Sequence, residues 1–249
     1  MDESLLRRII TSFALLAIVV LIVLVNSSFV MWFALGLVFM IAFHEACKLF
    51  GNDNGPSYAL AFFIWIIAGF MQKPEYLGAI TILGLTAYMV HTKSWNKALL
   101  MPFIYPTIPM LFLLTLFKNF GMPSIIWLII IVALTDVGAY IIGKSFGKSS
   151  FSPTSPNKTW EGVGGGIGVA TLAGTIFGMS AIGLMGAFCI SFLTSASSVW
   201  GDLYESFLKR EAGVKDSGTI FPGHGGMLDR IDGYLFAGVV MFTVLQSFF

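Results

Sequence analysis

Ile125-Ile-Trp-Leu-Ile-Ile-Ile-Val-Ala-Leu-Thr-Asp136-Val-Gly-Ala-Tyr140-Ile-Ile142 is apolar almost throughout and carries one carboxylate deep inside it. A helix that crosses a bilayer needs roughly 20 mostly apolar residues, and this run fits. A charge at such depth is costly unless it is paired or hydrated, so Asp136 is a functional candidate. Tyr140 and Gly143 follow at i+4 and i+7 and share its helical face. That stripe leads into a polar loop, Gly143–Glu161.

Eight further runs have the same character: Ile9–Val25, Phe29–Lys48, Ser57–Met71, Tyr76–Val90, Ala98–Phe117, Val163–Phe177, Ala181–Trp200 and Ile231–Phe248. Together they predict an all-α polytopic membrane protein with about nine transmembrane helices and a cytosolic polar site between the last two. Composition agrees: 57% of residues are hydrophobic and 11% charged, against about a quarter charged in soluble domains. The third, fourth and seventh runs are short. Pro102, Pro106 and Pro109 make the first half of the fifth irregular. The first run is too long for a signal-peptide core and is followed by more spans, so it reads as the first membrane helix.

Placing the N-terminus in the cytoplasm puts 12 of the 14 Lys and Arg residues on that side and leaves only Lys73 and Lys118 outside. A wrong span count would scramble this asymmetry. The polar stretches Gly143–Glu161 and Gly201–Arg230 then face the cytoplasm together. A net charge of +1 gives no sign of a nucleic-acid partner. Cys47 and Cys189 have no paired spacing and read as packing residues. Neither a tandem repeat nor a soluble second domain is visible, so residues 1–249 read as a single transmembrane domain. Within it, 1–100 hold spans of unassigned role and 101–249 carry the site.

The stretch Gly201–Asp232 concentrates six carboxylates, Asp202, Glu205, Glu211, Asp216, Asp229 and Asp232, beside Lys209, Arg210, Lys215 and Arg230. On a helix, Asp202, Glu205, Ser206 and Lys209 share one face, and so do Asp229 and Asp232. Carboxylates from two helix ends suit a hard divalent cation that completes its shell with water and substrate phosphates. Lys and Arg suit the phosphate oxygens. Pro222-Gly-His224-Gly225-Gly226 reads as a tight turn that lets backbone approach a ligand. Upstream, Lys144, Lys148 and Lys158 add cations, Lys158 as a phosphate contact. Gly162, Gly166 and their neighbours read as a close helix-packing surface. His44 and Glu45, near the end of the second span, read as structural.

Ser206-Phe-Leu-Lys-Arg, Lys215-Asp-Ser-Gly and Pro222-Gly-His-Gly-Gly-Met-Leu-Asp-Arg-Ile-Asp232 resemble the signature of the phosphatidate cytidylyltransferase (CDP-diacylglycerol synthase) family. Asp136–Lys148 and Ser155-Pro-Asn-Lys-Thr-Trp-Glu-Gly162 resemble the same family, so the likeness covers the C-terminal half. Residues before about Leu100 share only hydrophobic composition with it, and Ser150 and Ser152 inherit no role. The resemblance implies a magnesium-dependent bacterial inner-membrane enzyme that joins CTP and phosphatidic acid to give CDP-diacylglycerol and pyrophosphate. On that reading Asp202 and Asp229 hold the metal, with Asp232 and Asp136 in support. Lys209, Arg210, Lys215, Arg230 and Lys158 contact phosphates, while His224, Gly225 and Gly226 shape the nucleotide turn. A second, monovalent cation and a homodimer stay open. The sixth and ninth spans are expected to flank a hydrated funnel walled by Asp136, Tyr140, Gly143 and Asp232. Two other readings compete: a CTP-dependent lipid transferase or lipid kinase with a different acceptor, and a transporter, whose site would lie at the bilayer midplane between repeats.

Overall fold

The computed structural model describes residues 3–52, 54–221 and 225–248, and the chain divides into two compact units. Met1–Met122 and Ala212–Arg230 form the first, Pro123–Glu211 and Ile231–Phe249 the second. The elements in chain order are α1 (Glu3–Val25), α2 (Ser28–Leu49), α3 (Gly55–Phe70), α4 (Tyr76–His91), α5 (Lys97–Pro102), a π-helical turn (Phe103–Thr107), α6 (Ile108–Phe146), strands β1 (Ser150–Ser152) and β2 (Ser155–Thr159), α7 (Trp160–Glu211) and α8 (Leu228–Gln246). Three stretches, Ser28–Leu49, Lys97–Phe146 and Trp160–Glu211, are long and apolar enough to cross a membrane. Phe13–Val25, Gly55–Phe70 and Tyr76–His91 are shorter apolar helices. The architecture is therefore helical and apolar, as a polytopic membrane protein requires.

In the first unit the proline-rich run departs from regular helix, as its sequence predicts. Pro106 cannot donate a backbone hydrogen bond, and Tyr105 has extended backbone angles (φ −135°, ψ 111°). The Thr107 hydroxyl donates to the Pro102 carbonyl at 2.9 Å, which re-satisfies a freed backbone group inside an apolar setting. Helices α2 and α3 are joined by a reciprocal indole pair. Trp32 Nε1 donates to the Trp65 carbonyl at 3.1 Å and Trp65 Nε1 to the Trp32 carbonyl at 3.2 Å. Lys118 Nζ donates to the carbonyls of Ala68, Gly69 and Met71 at 2.7–2.9 Å, so a cation closes the end of α3, where carbonyls lack helical partners.

Glycine shapes the two long helices. Helices α6 and α7 are interrupted at Gly121 (φ 70°) and Gly183 (φ 77°), a left-handed conformation open to glycine and costly for other residues. The Gly121 break falls between the fifth and sixth apolar runs and the Gly183 break just inside the eighth, so the stretches Lys97–Phe146 and Trp160–Glu211 each carry two runs. Near the start of α7, Gly162 and Gly166 sit one turn apart against α6. A Cβ on Gly162 would lie 2.7 Å from the Ala139 carbonyl oxygen and 2.9 Å from Gly143 Cα, and one on Gly166 would strike the Thr135 carbonyl. This is the small-residue helix contact expected of these glycines, with α6 as the partner. Further along, Thr135 Oγ1 and Ser195 Oγ are hydrogen-bonded at 2.6 Å.

Two sequence expectations need correction. The Gly143–Glu161 stretch is not simply a loop: within an all-α fold it contains an antiparallel hairpin, pairing Ser150 with Thr159 and Ser152 with Ser155. Pro153 and Pro156 conceal it, and the tertiary bed that makes it possible is described below. Cys47 is buried, but Cys189 is exposed. It lies among the outward Phe188 and Phe192 of an apolar helix face and is not a packing residue.

The α6–α7 contact yields a paired prediction. A Cβ on Gly166 meets backbone, whereas one on Gly168 meets nothing within 4 Å. Gly166→Leu should lose folded, monodisperse protein in detergent, since overpacking of about 1–3 kcal/mol or more exceeds the roughly 1 kcal/mol gained in helix propensity. Gly168→Leu should match or exceed the parent in thermal stability.

Candidate active site

The second unit holds a cleft of ≈390 Å³ whose polar lining is Thr135, Asp136, Tyr140, Lys144, Asn157, Lys158, Thr159 and Asp202. Its position follows from the glycine contact: α6 and α7 touch along one stripe, and the residues flanking that stripe become its walls. Asp136 and Tyr140 are exposed on α6, with the Lys144 ammonium 5.7 Å from the centre of the Tyr140 ring. Asp136 thus lines a cleft, as expected, but the facing wall is α7 with β2 and not the final helix.

Lys158 is delivered by the hairpin. Trp160 N–H donates to the Ser149 carbonyl at 3.0 Å, and the Glu161 carboxylate accepts from the amides of Lys148 and Ser149 at 3.1 and 3.4 Å. The Thr159 hydroxyl accepts the Gly162 amide at 3.2 Å, capping α7. Phe151 packs against the buried Val163, Val199 and Leu203 and stands edge-on to Trp160 at 4.6 Å. That apolar bed, invisible in a local reading, fixes the strand that places Lys158. Its ammonium bonds the Asp202 carboxylate directly. A residue expected at phosphate and one expected at metal are therefore paired with each other.

Because α7 continues through Glu211, the predicted face of Asp202, Glu205, Ser206 and Lys209 is helical. Ser206 Oγ donates to Asp202 at 3.4 Å and Lys209 Nζ to Glu205 at 3.3 Å. Glu205 is fully buried, so Lys209 is turned toward a buried carboxylate, with only 13% of its side chain exposed. Asp232 joins this group, with its carboxyl beside that of Glu205 and within electrostatic reach of Asp202 and Asp136. A Cβ on Gly201 would strike the Asp232 carbonyl, so α7 and α8 are in backbone contact here. Glu205, given no role by the sequence reading, is the hub between Lys209 and Asp232.

Asp229 belongs to the first unit and has other neighbours. Its Oδ2 accepts from the Ser217 amide at 2.9 Å, the Ser217 hydroxyl at 2.8 Å and the Gly226 amide at 2.7 Å. Asp229 and Asp232 share a helical face by spacing, yet each serves a different set of partners. Gly225 has φ +80°, and its carbonyl accepts the Phe221 amide at 3.0 Å. His224 lies outside the described residues. Arg210, Lys215 and Arg230 are exposed. Among the described residues no three carboxylate, imidazole or thiol groups are arranged to hold a metal ion.

The Lys158–Asp202 pair retains 24% and 31% side-chain exposure, and partly solvated pairs contribute about 0–1 kcal/mol. Lys158→Met should therefore lower Tm by no more than about 4 °C. A differential scanning measurement on purified protein checks this, and a larger fall would make the lysine primarily structural.

The profile of the cytidylyltransferase family matches residues 6–248. A Helicobacter pylori protein named phosphatidate cytidylyltransferase is 38% identical over 251 residues, 98% of this chain and 94% of that one. A Bacillus subtilis protein of the same name is 44% identical over 134 residues, 52% of this chain and 50% of its own. An Arabidopsis thaliana relative, phosphatidate cytidylyltransferase 4, chloroplastic, is 42% identical over 120 residues, 47% of this chain and 30% of its own. The likeness is thus not confined to the C-terminal half, as the motifs alone suggest, because the spans before Leu100 share in it. With cleft, signature loop and N-terminal helices all inside one continuous match, this chain belongs to the cytidylyltransferase family.

Proposed function

We propose that this protein transfers CMP from CTP to phosphatidic acid, giving CDP-diacylglycerol and pyrophosphate, at the cytoplasmic face of a bacterial inner membrane. The observation that carries the reading is the match to a relative named phosphatidate cytidylyltransferase over 98% of the chain. A phosphate oxygen of phosphatidic acid attacks the α-phosphorus of CTP, the bond from that phosphorus to the bridging oxygen breaks, and pyrophosphate leaves. Phosphomonoesters have a second pKa near ~6, so the nucleophile is largely dianionic at neutral pH and no strong base is needed. Catalysis rests on positioning and charge neutralisation.

The cleft suits that task. Lys158 and Lys144 in its lining offer cations to the phosphates, while Arg210, Lys215 and Arg230, outside that lining, are exposed. Asp202 is a hard oxygen donor already bonded to a cationic group, the Lys158 ammonium, so its chemistry fits magnesium, which needs only one or two carboxylates beside substrate phosphates. Asp202 would hold that ion, which when bound would neutralise charge on the leaving pyrophosphate, and Asp229 is a second candidate ligand by its place in the signature alone. Lys158 then exchanges Asp202 for a substrate phosphate, and Asp232 and Glu205 keep the Asp202 helix face in place. Nothing observed favours a transporter or a different acceptor over this reading. A second, monovalent ion and a homodimer are compatible with it.

The decisive assay supplies purified protein with labelled CTP and phosphatidic acid, with and without magnesium. CDP-diacylglycerol should form only with both substrates and the metal, and turnover without phosphatidic acid would overturn the acceptor. Asp202→Asn should cut kcat at least ~100-fold while thermal stability stays within the few degrees expected of a partly exposed pair.

Nine spans with a cytoplasmic N-terminus follow from the charge asymmetry. Cysteines introduced at Lys93 and Ser247 in a Cys189→Ser background should label from opposite sides of sealed vesicles, Lys93 from the cytoplasmic side. Labelling of both from one side would reject the topology.

A further inference from the structure

Glu45 lies on α2, 4% exposed, in a region that the motif resemblance leaves without a role. Its carboxylate is surrounded by donors from the signature loop. Met227 N–H donates to Oε1 at 2.9 Å, Leu228 N–H to Oε2 at 2.8 Å and the Ser217 hydroxyl to Oε2 at 3.1 Å. The first two are unpartnered amides at the N-terminus of α8, where the helix dipole favours a negative charge. A buried carboxylate is tolerable when so satisfied. From the other side, the neighbouring His44 Nδ1 is bonded to the Tyr58 hydroxyl at 2.9 Å, which ties this end of α2 to α3.

Two glycines of the signature are shaped by the same group. A Cβ on Gly218 would collide with Glu45 Oε1, and one on Gly226 would collide with both Glu45 Oε1 and Ser217 Oγ. The loop is thus wrapped around this carboxylate closely enough to exclude a methyl group. Ser217 then relays the contact, since its hydroxyl lies 3.1 Å from Glu45 Oε2 and 2.8 Å from Asp229 Oδ2. One hydroxyl proton serves only one acceptor at a time, so the two carboxylates compete for it and the orientation of Asp229 depends on Glu45.

We propose that Glu45 is a positioning residue for the transferase reaction: it caps α8 from a remote helix and, through Ser217, sets the orientation of Asp229. Its part in turnover rests on the cytidylyltransferase reading, while the clamp itself stands on geometry alone. All three groups facing the carboxylate are donors, so an amide must turn its NH₂ toward one of them. Glu45→Gln is therefore an isosteric test of the acceptor, and Glu45→Asp keeps the charge but shortens the reach.

Full-length protein in lipid nanodiscs is compared as parent, Glu45→Gln, Glu45→Asp and Ser217→Ala by amide hydrogen exchange and by steady-state kinetics with CTP, phosphatidic acid and titrated magnesium chloride. In Glu45→Gln, exchange at residues 214–230 should rise at least tenfold with α3 and α4 unchanged. Its kcat should fall at least thirtyfold, and half-saturating magnesium should rise at least fivefold. Glu45→Asp should recover part of each, and Glu45→Gln added to Ser217→Ala should multiply the loss by less than threefold. Uniform loosening of all helices with normal kcat per folded molecule would overturn the proposal, as would fully multiplicative effects of the two substitutions. If Glu45→Gln fails to fold, Ser217→Ala alone must still raise half-saturating magnesium, or the relay is wrong. A parent protein without CTP turnover would reject the reaction, while the exchange data would still decide the clamp.

Discussion

The closeness of α6 and α7 is the constraint on which the second unit depends. Gly162 and Gly166 leave no space for a side chain, so the two backbones meet near Thr135, Ala139 and Gly143. In lipid no hydrophobic force draws helices together, and close backbone approach is what makes such a contact favourable. The contact then decides what lies beside it. Asp136 and Tyr140 on one helix face Lys158 and Asp202 from the other side of a cleft. The cost of a carboxylate at Asp136 is met by placing it on an open polar wall instead of against lipid.

Polar order in the first unit has a different origin. There the described residues of the loop before α8 lie outside strand and helix, and side-chain carboxylates accept their amides. Glu45 and Asp229 accept four backbone amides between them, those of Ser217, Gly226, Met227 and Leu228, and share the Ser217 hydroxyl. The same logic operates at the far end of α3, where the Lys118 ammonium gathers three carbonyls. In both places a single charged group replaces missing backbone partners, because unpaired groups are costly away from water.

Much of this was legible from pattern. The helical face running from Asp202 to Lys209, the irregular proline run and the packing role of Gly162 and Gly166 all follow from local spacing and backbone chemistry. The hairpin was not legible, since Pro153 and Pro156 resemble loop residues. It forms because Phe151 finds an apolar bed on α7, which no window of adjacent residues displays. Glu45, near the end of the second apolar span, reads as structural from the sequence alone. Its partner Ser217 is 172 residues away.

By itself the sequence determined that the chain is apolar and helical, and which family its motifs resemble. Those properties are carried by composition and by spacing within one helix, where 3.6 residues per turn dictates which side chains share a face. Only the tertiary structure decided which charges meet: Lys158 with Asp202, Glu205 with both Lys209 and Asp232, and Glu45 with the signature loop. Most of those meetings join separate elements at distances set by whether a glycine or a larger residue stands at the contact. The reason is steric, since a single added methyl group at Gly166 or Gly218 would move the partner before any charge could act.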